Sequence, residues 1–87
     1  MTGSYRLVTK KSAERELRGI PKQDLHRIVK RIEGLAHEPR PPGCEKLSGQ
    51  ERYRIRQGDY RIVYAVDEAQ RTVEVVRIGH RREVYRQ

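Results

Sequence analysis

Arg52-Tyr53-Arg54-Ile55-Arg56-Gln57-Gly58-Asp59-Tyr60-Arg61-Ile62-Val63-Tyr64-Ala65-Val66 decides how this chain folds. Residues 52–56 alternate strictly, the period of a strand with one buried face. Gly58-Asp59 makes a two-residue hairpin turn, with glycine supplying the positive φ that such turns require. That loop length sets the register. Ile55 then faces Ile62, Tyr53 faces Tyr64 and Gln57 faces Tyr60, an apolar surface for helices to cover. The opposite surface pairs Arg56 with Arg61, Arg54 with Val63 and Arg52 with Ala65. Like charges directly opposed across a sheet repel, yet these arginines share one face with only small neighbours between them. The result is a shallow cationic floor, tolerated because a phosphate backbone neutralises it. The competing reading is that the arginines fan into water and pair with Glu74 or Glu83.

Outward from the hairpin, Tyr5-Arg6-Leu7-Val8-Thr9 alternates as a short first strand, with Thr9 placed to cap a following helix. A helix over 10–18 is marked by Ala13 and Leu17, continuing to Ile20, with Gly19 as its stop. Pro21 suits the first position of a second helix. Leu25, Ile28, Val29, Ile32, Leu35 and Ala36 form that helix's stripe, and Lys22, Arg27, Lys30 and Arg31 its outer side. His37-Glu38-Pro39 ends it, and Arg40-Pro41-Pro42-Gly43 is an extended connector. Beyond the hairpin, 67–70 is a turn, 72–78 a strand, and 83–86 a last extended piece. The expected fold is α+β: a strand, two helices, then three antiparallel strands, with both helices on one face of a small antiparallel sheet. Residues 1–87 read as one domain, without repeats or linkers.

With 87 residues, 34% hydrophobic and 37% charged, neither Phe nor Trp and five Tyr, the core must be thin. No apolar run approaches a membrane span or a secretory signal. A lone Cys44 has no intramolecular partner, which fits a reducing, cytoplasmic setting. His26, His37, His80 and Cys44 lack metal-ligand spacing, and no glycine-rich phosphate loop is present, so neither metal nor cofactor is expected. The net charge of +8 points to a polyanionic partner. It is distributed through the ordered elements, so folding must gather it.

The segment Arg77-Ile78-Gly79-His80-Arg81-Arg82-Glu83-Val84-Tyr85 adds to the same chemistry. Packed beside residues 60–66, it brings Arg77 and Arg81 towards the cationic floor. His80 lies among arginines in sequence, which should favour its neutral, basic form. Tyr85 is suited to stack on a nucleobase or to handle a proton. Glu45 and Glu51 read as loop carboxylates that either assist acid–base work or simply solvate.

Together, Lys46-Leu47-Ser48-Gly49, Tyr53-Arg54-Ile55-Arg56, Gly58-Asp59-Tyr60-Arg61-Ile62-Val63-Tyr64 and the late Arg77–Tyr85 segment closely resemble the RelE toxins of the RelE/ParE superfamily. The resemblance spans nearly the whole chain. It implies a ribosome-dependent endoribonuclease that cleaves mRNA in the A site by metal-independent 2′-hydroxyl attack. A RelB-like antitoxin is the implied partner, beside the ribosome and mRNA. The family's two lysines and one arginine on successive strands fall on Arg54, Arg56 and Arg61, and its late arginine and tyrosine on Arg81 and Tyr85. Arg52, Arg77 and Arg82 are the further RNA-binding candidates. Both lysines are arginines here, and a guanidinium makes a poor base. The resemblance therefore gives the base role first to Tyr85 and second to His80. Two alternatives remain: a ParE-like inhibitor of DNA gyrase, and a ribosome- or RNA-binding relative whose cleavage has decayed.

Overall fold

A computed structural model describes residues 4–47 and 51–80. The elements are β1 (Arg6–Thr9), α1 (Lys11–Arg18), α2 (Lys22–Leu35), β2 (Glu45–Leu47), β3 (Arg52–Gln57), β4 (Tyr60–Asp67) and β5 (Thr72–His80). They form one five-stranded sheet in the order β1-β5-β4-β3-β2. The hairpin register is the expected one, from Arg52 opposite Ala65 to Gln57 opposite Tyr60. Gly58 occupies the left-handed region at φ +61, which no β-branched residue would tolerate there.

The α+β architecture is as read from sequence, with two corrections to the sheet. It is mixed rather than antiparallel, because β1 runs parallel to β5. No turn joins those two strands, so nothing local sets their relative direction. β2, unanticipated, pairs antiparallel with β3; three residues are too few to show a period. Helix termini also differ slightly from expectation. Lys10, not Thr9, occupies the first cap and makes no side-chain capping bond. Pro21 is the extended residue preceding α2.

α1 lies over β5 and α2 over β3. Ala13, Ile20, Ile28, Ile32 and Leu35 meet Tyr53, Ile55, Ile62, Tyr64, Val66, Val73, Val75 and Ile78 in one core. Leu17 and Leu25 pack at its margin, whereas Val29 turns to solvent. Tyr53 and Tyr64 stack with ring centroids 5.7 Å apart. The buried Tyr64 hydroxyl donates to the Pro39 carbonyl at 2.6 Å, tying the connector to the sheet. Burial pushes this phenol well above its ordinary range, so it remains a donor.

A bulge between Val63 and Tyr64 of β4, opposite β5, resets the pairing of these strands. On one side of it Ile78 enters the core and Arg77 faces outward; on the other, Val73 and Val75 enter and Glu74 faces outward. One extra residue, Val76, changes which parity of β5 is buried. Beyond the end of β1, the edge of β5 is closed by α1: Ile78 N–H donates to Glu16 Oε1 at 2.7 Å.

Candidate functional site

Because residues paired across strands share a face, the ladder pairings lay the site out in rows. Nearest the hairpin turn, Arg56 faces Arg61, which faces Gly79. The next row runs Glu45, Arg54, Val63, Arg77. A third holds Leu47, Arg52, Ala65, Glu74 and Val8. All lie on the side away from the helices. Arg56 is exposed, and Arg52, Arg54 and Arg77 are half-buried. Arg61 is only 8% exposed. Gly79 offers no side chain beside it, and Arg61 Nη1 donates to the Tyr60 carbonyl at 3.4 Å. The Nε of Arg77 is buried with no hydrogen-bond acceptor among the described residues, an unmet donor within a cationic face.

Arg54 meets a carboxylate on the neighbouring strand β2. Its partner is Glu45, whose Oε1 accepts from Arg54 Nη2 at 2.6 Å and from Nε at 3.2 Å. Glu45 is thus a strand residue on the arginine face and not a loop carboxylate. The Arg54 hydrogen bond, then the Arg54 and Arg61 charges, hold its carboxyl below the usual range.

His80 does not join this face. It pairs with Tyr60 on the helix side and meets that ring edge-on, with centroids 5.9 Å apart. Glu16, Gly19, Ile20 and Ile78 complete its surroundings around a cavity of about 270 Å³. The spacing already carried this information, since Ile78 and His80 are two residues apart on one strand and share a face. Arg81, Arg82 and Tyr85, with Glu83 and the extended piece over 83–86, lie outside the described residues.

A second polar cluster, at the far end of the sheet, was not anticipated. Arg40 Nε donates to the Tyr53 hydroxyl at 2.9 Å and its Nη2 meets Glu68 at 2.7 Å. Glu68 also accepts from the Tyr5 hydroxyl at 2.8 Å, and Arg71 lies over the Tyr5 ring, 4.2 Å from its centroid. The cluster fastens the connector and the β4–β5 turn to the start of β1, beside a groove of about 950 Å³. Tyr5, then Arg40, hold the Glu68 carboxyl below its ordinary 4.5. A carboxyl lowered by folding stabilises fully above its unfolded value and loses that contribution as pH falls through the lower folded one. Wild type should therefore lose more urea resistance than Glu68→Gln on moving from about pH 5.5 to about pH 3, measured by tyrosine fluorescence. Equal losses would remove Glu68 from the acid response.

Among the described residues, no group of three metal-ligating side chains converges, and no helix is long and apolar enough to cross a membrane.

The family model described as "ParE toxin of type II toxin-antitoxin system, parDE" matches residues 7–85. Toxin RelG of Mycobacterium tuberculosis is 33% identical over 79 residues, covering 86% of this chain and 88% of RelG. The chain belongs to the RelE/ParE toxin superfamily. Its fold superposes on the toxin–antitoxin complex RelBE2 of M. tuberculosis with a TM-score of 0.81 at 26% identity, covering 92% of this chain and 94% of that one. The archaeal RelE–RelB complex of Pyrococcus horikoshii gives 0.78 at 26% identity, covering 90% and 96%.

Proposed function

We propose that this toxin is an mRNA endoribonuclease acting on ribosome-bound message in the cytoplasm, restrained by a RelB-like antitoxin. The observation that carries the reading is the gathering of Arg54, Arg56, Arg61 and Arg77 into two adjacent rows of one sheet face. Guanidiniums fixed in this way match phosphate oxygens with forked donors. Arg54 and Arg56 hold the scissile phosphate. Arg61, held in place by its burial, stabilises the charge that develops on the phosphorane-like transition state, and Arg81 does so from the late motif. Arg52, Arg77 and Arg82 follow the backbone on either side, with Tyr85 beside the reacting nucleotide. The relatives named RelE support the reaction class, and those solved with RelB support the partner.

Among the described residues the two arginine rows form an open face, and the ribosome supplies the positioning of the RNA. Induction in cells should stop incorporation of labelled amino acids before that of labelled thymidine. Mapped 5′ ends on ribosome-bound mRNA should cluster at the A-site codon. The ParE description of the matching family model favours a second reading, inhibition of DNA gyrase. Thymidine incorporation failing first, with uncut message, would establish that one. Stalled ribosomes on intact mRNA would instead identify an RNA-binding relative without cleavage.

A further inference from the structure

Scission by a 2′-hydroxyl needs a group that accepts its proton, and a guanidinium stays protonated at any working pH. The two rows that hold Arg54, Arg56, Arg61 and Arg77 contain, among the described residues, one side chain able to accept it: Glu45. His80 is on the other face of the sheet. Both contacts from Arg54 fall on Oε1 of Glu45, which fixes the carboxylate while Oε2 points to no partner among the described residues. The Glu45 side chain is 65% exposed, so a substrate can reach that oxygen.

We propose that Glu45 is the general base of the cleavage reaction, a catalytic residue that takes the proton of the attacking 2′-hydroxyl; this rests on the endoribonuclease reading. The 2′-oxygen forms a bond to phosphorus as its proton passes to the Glu45 carboxylate. The bond from phosphorus to the 5′-oxygen breaks, and that oxygen leaves with a proton from water. A 2′,3′-cyclic phosphate and a 5′-hydroxyl result, and Glu45 returns its proton to solvent. Arg54 keeps the carboxylate ionised in the free toxin. When a phosphate draws on the same guanidinium, that hold weakens and Glu45 gains basicity as substrate arrives.

The test is single-turnover cleavage of mRNA on programmed ribosomes by wild type, Glu45→Gln and Glu45→Ala, with circular dichroism as the folding check. Affinity is measured separately on message carrying a 2′-deoxy nucleotide at the cleavage site, which cannot be cut. Glu45→Gln keeps an oxygen for Arg54 but accepts no proton. It should cleave about 10²–10⁴-fold more slowly, while binding the deoxy message at least as well as wild type, since a negative charge is gone. Glu45→Ala should be equally slow. Glu45→Gln cleaving as fast as wild type, or faster, overturns the role of Glu45 and leaves the nuclease reading standing. A parallel loss of binding and rate would also overturn it, in favour of a positioning role. A wild type that cuts nothing on programmed ribosomes overturns the nuclease reading and this inference together.

Discussion

Arg61→Ala should no longer arrest growth, and its cleavage of ribosome-bound message should fall about 10²–10³-fold, the usual cost of losing one fixed donor to a developing oxyanion. The expectation comes from how Arg61 is held. Its side chain is 8% exposed and lies between Arg56 and the bare backbone of Gly79. It therefore meets the substrate already ordered, with little entropy left to lose. Folding should survive, because Arg61 is on the face away from the hydrophobic core and its removal also relieves the opposition with Arg56. Arg61→Lys separates charge from shape. It keeps the charge but loses the planar fork, so it should stay at least about tenfold impaired. Arg81→Ala should behave as Arg61→Ala does. Growth arrest by either alanine variant, at matched expression, would remove that arginine from the catalytic set.

The largest effect on stability should come from Tyr64→Ala, about 3–5 kcal/mol for loss of a buried aromatic. A domain of this size commands roughly 4–13 kcal/mol in total, at ~0.05–0.15 per residue. Tyr64 is fully buried, stacks on Tyr53 and anchors the connector through Pro39. The variant should lose a large part of its stability alone and should regain it with a partner that binds the folded state. Tyr64→Phe isolates the hydroxyl and should cost about 1–3 kcal/mol, since the Pro39 carbonyl would be left buried without its donor. Urea denaturation followed by circular dichroism gives both values. A Tyr64→Phe protein as stable as wild type would mean that water replaces the hydroxyl at Pro39.

Much of the arginine face was legible from the hairpin alone. Alternation over Arg52–Arg56 and a two-residue turn at Gly58 leave one register, and that register puts Arg54, Arg56 and Arg61 together. The β5 bulge was also encoded, since Val73 and Val75 share a parity that Ile78 breaks. It was obscured because the run Val75-Val76 reads as apolar in either parity. The face of His80 follows from that of Ile78, two residues before it on the same strand.

What the sequence determined by itself is whatever acts over a few residues: strand period, helix stripes, the turn at Gly58 and hence the two faces of the hairpin. Only the tertiary structure decided the parallel docking of β1 on β5, the addition of β2 and the partners of the charged groups. Glu45 and Arg54 are 9 residues apart and meet because two strands pair. Tyr5 and Glu68 are separated by 63 residues, and Glu16 and Ile78 by 62. No local periodicity reports such contacts. They depend on where the two helices carry the chain across the sheet, and that path is set by burial of the whole core at once.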